Sequence, residues 1–216
     1  MQGAVVYLGP SLPHEEARTI CPDATFLPPV RRGDLLKVSG VSIVCIIDGF
    51  FYQDAAVGHR EILSLLKAGI RVIGSSSMGA LRAAELDTLG MEGVGVIYSL
   101  FQSGTLVSDD EVALVFDPET YLPLSDPLVN IRCSLRHAKN NGIITEEEES
   151  LLIRTAEPLF YPERTYARIA TVLPVSARER LLSFIAKSAF DQKRLDAIQA
   201  LERVHTLLNE GGADRI

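Results

Sequence analysis

The segment Ser75–Gly79 combines three serines, a methionine and a glycine in an order that can support acyl chemistry. An apolar pair, Val72–Ile73, precedes it and an alanine-rich run follows it, which predicts a strand, a sharp turn and a helix. Ser77, with a glycine two positions later, matches the S-x-G half of a nucleophile elbow, the turn that presents a catalytic serine. Ser75 stands where such elbows have their first glycine.

A serine at the start of a helix lies beside unpaired backbone N–H groups and the positive end of the helix dipole. We therefore expect an exposed Ser77 hydroxyl to act as the nucleophile and the N–H groups of Met78 and Gly79 to stabilise an oxyanion. Ser76 is the rival nucleophile. Two simpler roles stay open for these serines, since they would equally cap the helix or hold a bound anion.

A nucleophilic serine needs a general base, and His59 is the candidate. It shares a predicted helical face with three apolar residues, Ile62, Leu63 and Leu66. It is nearest the start of that helix, where a base for Ser77 would have to lie. Asp48 is the preferred partner to orient the imidazole and Glu61 is the second choice. The alternative is a histidine that only packs and binds a backbone carbonyl.

Apolar runs predict the strands that carry these residues, at Ala4–Leu8, Ala24–Leu27, Ser42–Ile47 and Arg71–Ile73. Helical segments alternate with them, which favours right-handed βαβ units and a parallel sheet. In such a sheet the ligand crevice lies at the carboxyl ends of the strands. The residues that follow the four strands would then face one opening: Ser11, Arg31, Asp48 and Ser75–Ser77.

Beyond Gly90 the pattern is less regular. Val94 to Phe101 has helical spacing, and Val112–Phe116 is a predicted fifth strand. Asp109–Glu111 lacks a nearby histidine and is interpreted as a solvated turn, so no metal site is predicted. The fold class is therefore α/β, a mostly parallel sheet of about five strands with flanking helices, followed by an all-helical region.

Helices dominate the rest of the chain. Leu128–Lys139 is a predicted helix, Thr145 begins a capping box, and the last helix runs near Asp191–Asn209. We predict an α/β core over residues 1–120 that carries the site, and a helical region over residues 121–216 that packs on it.

Composition narrows the function classes. The 216 residues are 47% hydrophobic with a net charge of −7, which predicts a folded core and argues against nucleic-acid binding. No apolar run approaches the roughly 18 residues of a membrane span, and we expect a cytoplasmic protein that does not bind membranes. The three scattered cysteines indicate free thiols, and Cys133 is the one considered for sulfur handling.

Six segments carry longer motifs: YLGPSLP at Tyr7–Pro13, PPVRRGD at Pro28–Asp34, IDGFF at Ile47–Phe51, HREIL at His59–Leu63, SMGALRAAEL at Ser77–Leu86 and VNIR at Val129–Arg132. Together they resemble the TfuA family, named for its part in trifolitoxin maturation. They span about the first two-thirds of the chain in the family's order.

The resemblance implies work beside a YcaO-type cyclodehydratase, which uses ATP to activate a peptide amide whose oxygen is then replaced by sulfur. It also implies a thiocarboxylated, ubiquitin-like sulfur-carrier protein as the sulfide source, with a precursor peptide or protein as a further partner. No phosphate loop is visible, which agrees with ATP chemistry in the partner, and we expect no cofactor here.

In this hypothesis Ser77 attacks the thiocarboxylate carbonyl, His59 takes the proton, sulfide leaves and water clears the acyl-serine. Arg31, Arg82 or Arg132 would hold the anionic group. The remaining substrate-binding candidates are Ser11, Ser76 and Asn130. Two rivals stay open: a non-catalytic adaptor or allosteric activator that binds the YcaO partner, and a protein that binds a small anion or nucleotide.

Overall fold

The computed structural model describes residues 3–52 and 54–213. Within them five strands form one parallel sheet: β1 Ala4–Tyr7, β2 Ala24–Leu27, β3 Ile43–Ile46, β4 Arg71–Ser75 and β5 Glu92–Val94. Their order is β2-β1-β3-β4-β5. The chain therefore places β2 on one side of β1 and then crosses to add β3, β4 and β5 on the other side. The predicted α/β fold with a parallel sheet and a helical C-terminal region is confirmed.

Nine α-helices accompany the sheet in the described residues: α1 His14–Ile20, α2 His59–Lys67, α3 Met78–Leu86, α4 Val96–Gln102, α5 Leu128–Asn140, α6 Glu146–Ala156, α7 Tyr166–Ile169, α8 Val175–Ser188 and α9 Gln192–Ala213. None of those described helices has both the length and the apolar character needed to cross a membrane.

The described residues form two compact units. One holds the chain up to Asp109 and again from Lys193 onward, and the other is Asp110–Gln192. The division at residue 120 that we expect from the sequence stays a prediction about independently folding domains.

The first unit has a hydrophobic layer on each face of the sheet, because successive side chains of a strand point to opposite faces. Val6 and Cys45 pack with α1 and α9 on one face. Val44 and Ile46 pack with α2 and α3 on the other face. Helix α9 contributes four buried residues to the first layer: Ala197, Ala200, Leu201 and Val204. The C-terminal helix is therefore part of the core around the sheet.

The second unit has its own hydrophobic core, built from α5 to α8. Arg164 is fully buried beside this core and donates hydrogen bonds to Asp110 Oδ2 and to the carbonyls of Asp110, Ala156 and Leu159. A buried guanidinium is tolerated only when its donors are satisfied in this way.

The predicted fifth strand is wrong. Val112–Phe116 is not a strand, although Phe116 forms an isolated bridge with Pro123, and the fifth strand is β5, which pairs with β4. A short apolar run is equally compatible with a buried irregular segment. Gly93 makes β5 hard to recognise from the sequence. This position nevertheless requires glycine, because a Cβ there would lie 2.2 Å from the Tyr98 ring.

Ser11 and Asp54 are residue types that favour the N-cap of a helix, but neither caps one here. Ser11 does not cap α1, which begins at His14 after Pro13. Helix α2 begins at His59 after Gly58, with Glu61 reaching back to the Gly58 N–H at 3.2 Å, and not at Asp54. The capping box at Thr145 is confirmed by reciprocal bonds with Glu148.

Candidate functional site

The chemistry-bearing residues of the first unit gather at the carboxyl ends of β1, β3 and β4. Connections from β1 and β3 leave the sheet in opposite senses, and such a switch point is where open α/β sheets bind ligands. Asp48 follows β3, Ser11 follows β1, and Ser76 follows β4. The sequence prediction that these strand ends share one edge is therefore met by the topology.

Asp48 ties the end of β3 to the loop after β1. Its side chain is 1% exposed. Oδ2 accepts hydrogen bonds from the backbone N–H groups of Gly9 at 2.9 Å and Ser11 at 3.0 Å, and Oδ1 accepts one from the Ser11 hydroxyl at 2.7 Å. These are charge-assisted bonds of the stronger kind. The donors that would attract a small anion at the β1 loop are thus occupied by the protein's own carboxylate.

Ser76 occupies the strained position of the turn between β4 and α3. Its φ is +62°, and the Ser77 N–H donates to the Ser75 carbonyl across it at 2.8 Å. A non-glycine residue in the left-handed region at a tight turn is uncommon and costs roughly 1–3 kcal/mol, and such strain clusters at functional sites. Ser76 therefore has the backbone expected of the residue at the tip of a nucleophile elbow.

Two glycines let this turn close. A Cβ on Gly74 would lie 2.1 Å from the Gly79 carbonyl oxygen, and one on Gly79 would lie 1.7 Å from the Ile46 carbonyl oxygen. Only glycine permits that approach of strand and helix. Gly74 stands two residues before Ser76, and Gly79 stands two residues after Ser77. Each serine therefore matches one half of the elbow pattern.

The hydroxyl of Ser76 belongs to a buried hydrogen-bond chain. It donates to Ser11 Oγ at 2.9 Å, and Ser11 Oγ donates to Asp48 Oδ1 at 2.7 Å. A carboxylate oxygen only accepts, so the Ser11 proton points toward Asp48 and Ser11 Oγ accepts the proton of Ser76. The direction of the chain draws the Ser76 proton inward.

Ser77 lies in a different environment from the one predicted. The expected exposure is wrong, since the residue is 2% exposed. The reason is that Gly79 N–H donates to the Ile47 carbonyl at 3.3 Å, which draws the start of α3 against β3. Ser77 occupies the N-cap position without a side-chain capping bond. Among the described residues its hydroxyl has no hydrogen-bond partner, and neither has the Met78 N–H.

Ser75 connects the turn to α9, a link that the sequence did not indicate. Its hydroxyl donates to the Asp196 carbonyl at 3.0 Å. The Asp196 carboxylate accepts from the N–H groups of Val96 at 3.0 Å and Ile97 at 2.7 Å, and so caps α4 from a distant part of the chain. The sequence feature that could have indicated a distant cap for α4 is Gly95, which precedes the helix and has no side chain to cap it. In the structure its φ is +99°.

His59 does not reach this network. It is exposed, and its Nε2 contacts Glu85 Oε2 at 2.7 Å. No hydrogen bond joins it to Asp48 or Ser77 in the part of the chain that the structure describes, and Glu61 is bound to Gly33 and Gly58 instead. The structure therefore shows no contact that would make His59 the base.

The predicted anion ligands differ in how far they are committed. Arg82 bonds the Val57 carbonyl and pairs with Glu85. In the second unit, Arg132 makes two bonds to Glu111 and one to Glu157, and Asn130 bonds Asp191 at 2.8 Å.

Arg31 remains available to an anion. Its guanidinium stacks 4.1 Å from the centre of the Phe50 ring and has no carboxylate partner among the described residues.

Metal-ligand clusters do not mark this turn within the described part of the chain. No group of three or more His, Cys, Asp or Glu residues with metal-binding geometry occurs in residues 3–52 and 54–213. Cavities of 490 Å³ and 430 Å³ lie beside Gly95 and Gln199, near α4 and α9.

A family comparison adds to the geometry. A model of the TfuA-like protein family matches residues 48–165, which is 118 of the 216 residues. The chain belongs to the TfuA-like protein family. The resemblance read from the motifs is thereby confirmed. The match begins at Asp48 and includes the whole turn from Ser75 to Gly79. A comparison with curated proteins found no match to this TfuA-like chain.

Proposed function

We propose that this TfuA-like protein is a cytoplasmic accessory factor of YcaO-dependent thioamidation that releases sulfide from a thiocarboxylated sulfur-carrier protein. Membership of the family is consistent with an accessory role beside a YcaO-type enzyme. The observation that carries the hydrolytic part is Ser76, a strained serine at a strand-to-helix turn whose proton is directed to a buried carboxylate.

The first chemical step joins Ser76 to the acyl group. Its Oγ attacks the carbonyl carbon of the thiocarboxylate, while its proton passes to Ser11 and the Ser11 proton passes to Asp48. The C–S bond then breaks, and sulfide takes the proton back through the same chain and leaves as HS⁻. Water hydrolyses the acyl-serine in the second step, which restores the Ser76 hydroxyl and releases the carboxylate and a proton that converts HS⁻ to hydrogen sulfide. The net reaction converts a thiocarboxylate and water into a carboxylate and hydrogen sulfide.

The neighbouring groups supply binding and charge stabilisation. The Met78 N–H, which has no partner among the described residues, donates to the developing oxyanion. Arg31 binds the anionic sulfur or oxygen before attack. Ser76 is buried, so the residues that cover it must move before the tail of the sulfur carrier can reach its hydroxyl. The glycine-ended tail of the carrier is slim and needs only a narrow opening.

Serine variants test the proposal. Thiocarboxylated carrier is incubated with wild type, Ser76→Ala, Ser77→Ala and the exposed control Ser103→Ala, and sulfide release is followed. We expect the Ser76 variant to lose at least about 100-fold in rate, as for removal of a nucleophile, and the control to lose nothing. A lower rate of sulfide release in the Ser77 variant alone would show that Ser77 is the nucleophile. Unchanged rates in both variants would contradict the hydrolytic proposal.

Trapping gives a second observation. Because attack forms an ester on one serine, mass spectrometry of a quenched reaction should find the carrier joined to the peptide that contains Ser75–Ser77. Fragmentation of that peptide separates Ser76 from Ser77.

A non-catalytic adaptor of the YcaO enzyme is the second candidate function. The burial of all three serines and the pairing of His59 with Glu85 favour it. In that case wild type and Ser76→Ala would both release no sulfide, yet both would stimulate thioamidation of the peptide or protein substrate when sulfide is added. Stimulation that disappears without carrier would contradict the adaptor.

A further inference from the structure

A cationic surface lies on the loops after β2 and β3 and on the first turn of α2. We call it the arginine surface and define it by Arg32, Leu36, Tyr52 and Arg60. All four residues are exposed, Leu36 by 71% and Tyr52 by 64%. Tyrosine and arginine are enriched at protein interfaces, and an exposed leucine adds apolar area beside them.

Hydrogen bonds hold the segments of the arginine surface together. Arg32 N–H donates to the Ala55 carbonyl at 2.8 Å, and the N–H groups of Ala55 and Ala56 donate to the Tyr52 carbonyl at 2.8 Å. Gly33 N–H donates to Glu61, one residue after Arg60, at 2.8 Å. The surface is therefore a fixed arrangement of three chain segments.

Backbone bonds also connect this surface to the candidate site. Val30 N–H donates to the Asp48 carbonyl at 2.9 Å, and Phe50 N–H donates to the Val30 carbonyl at 3.2 Å. A Cβ on Gly49 would lie 2.8 Å from Val30 and 2.9 Å from Met78. The loop that carries Arg31 and Arg32 thus begins directly against the start of α3. A partner bound to the arginine surface would therefore lie next to the serine turn.

The charge of the surface opposes that of the chain. The net charge of the chain is −7, whereas this region exposes Arg31, Arg32, Lys37 and Arg60 beside Asp54 and the half-exposed Asp34. Lys37 pairs with Asp34, but the guanidinium groups of Arg31 and Arg60 have no carboxylate partner among the described residues. An acidic partner is repelled by most of this protein and attracted here.

We infer that the arginine surface docks the acidic face of the sulfur-carrier protein and so delivers its thiocarboxylated tail to Ser76. This inference rests on the proposed function, since it names the docking site of the same substrate. Docking governs capture of the carrier and leaves the chemical step unchanged.

Two charge-reversal variants with equal changes in net charge test the inference. Arg32→Glu with Arg60→Glu alters the surface. Lys67→Glu with Arg71→Glu is the matched control, because both residues are exposed. Lys67 ends α2 and Arg71 begins β4, so both lie at the amino-terminal edge of the sheet, away from the serine turn. The probes are a ubiquitin-like sulfur carrier ending in Gly-Gly-thiocarboxylate and a short peptide with the same thiocarboxylate end.

With the carrier, we expect the surface variant to raise KM about tenfold at low salt and to leave kcat unchanged, since rim charges act mainly on association. Wild-type KM should rise with salt and approach that of the variant. Hydrolysis of the short peptide should be the same in all three proteins. An unchanged carrier KM, or an equal rise in the control variant, would overturn the inference.

A binding measurement separates this inference from the hydrolytic proposal. Titration of the unmodified carrier, which ends in a carboxylate, into Ser76→Ala protein requires no reaction. If the wild type hydrolyses the thiocarboxylate but the surface variant binds this carrier as well as the control does, docking at the surface is wrong. If no protein hydrolyses it and binding still depends on Arg32 and Arg60, the docking inference stands and the hydrolytic proposal fails. Binding of the YcaO enzyme instead of the carrier would also overturn it.

Discussion

Asp48→Asn should reverse the hydrogen-bond chain that directs the Ser76 proton. The substitution preserves size and shape but gives one oxygen position to an NH₂ group. The introduced amide can keep its oxygen toward the N–H groups of Gly9 and Ser11 only by turning the NH₂ group toward Ser11 Oγ. Ser11 must then accept from that NH₂ group and donate to Ser76, so Ser76 loses its proton acceptor.

The size of the effect follows from the three bonds. Each bond to a charged group contributes about 1.5–3 kcal/mol and each neutral one about 0.5–1.5 kcal/mol, so neutralising the group lowers stability by about 1 kcal/mol a bond. Removing a buried charge offsets part of this loss. A net destabilisation of about 2 kcal/mol lowers Tm by about 4–8 °C for a chain of this length. The rate of sulfide release should fall by about 100-fold to 10,000-fold, as for loss of a general base.

The assay is sulfide release from the thiocarboxylated carrier at a temperature where melting by circular dichroism shows the variant folded. Asp126→Asn is the matched control, because Asp126 accepts one backbone bond, from Tyr166 at 3.0 Å, in the second unit. Ser11→Ala should lose activity to a similar extent, since it cuts the chain without touching the carboxylate. An Asp48→Asn protein that is folded and releases sulfide at the wild-type rate would refute the reasoning, as would a fully active Ser11→Ala protein.

Three further predictions concern the fold. Gly79→Ala should prevent stable folding, because its Cβ would lie 1.7 Å from the Ile46 carbonyl oxygen, and soluble yield with far-UV circular dichroism measures this. Thr145→Ala should cost about 1 kcal/mol in chemical denaturation, since the N-cap hydroxyl of α6 is lost. Burial raises the pKa of the Asp126 carboxyl, so the folded state holds its proton more tightly than the unfolded state does. The stability of wild type relative to Asp126→Asn should therefore be greatest below the unfolded pKa and should fall as the pH rises through the folded pKa, measured by denaturation from roughly pH 3 to roughly pH 7.

Local signals were sufficient for most of the fold. Apolar runs located the first four strands, and those of β1, β3 and β4 are nearly continuous because these strands are buried on both faces. The reciprocal pattern at Thr145 predicted a helix start, since two side chains satisfy each other's backbone donors over four residues. The sequence did not predict β5, because close packing against Tyr98 requires a glycine and glycine is a weak strand signal.

The site was only partly accessible from the sequence. Strand-end topology predicts that Ser11, Asp48 and the serines converge, because it depends on order along the chain. It does not determine which side chain a carboxylate binds, and Asp48 binds Ser11 where we expected His59. The strain at Ser76 and the link from Ser75 to Asp196 are three-dimensional properties, and residues 121 positions apart carry no short-range pattern.

Helix α9 has a consequence for how the protein is synthesised. A ribosome that has translated residue 192 has already produced all five strands of the described sheet, yet the layer that needs Ala197, Leu201 and Val204 is unfinished. The nascent chain would then expose the apolar face formed by Val6 and Cys45 while the intervening unit is already complete. Premature stop codons ahead of α9 should therefore yield aggregates, and chaperones should engage this chain late in translation.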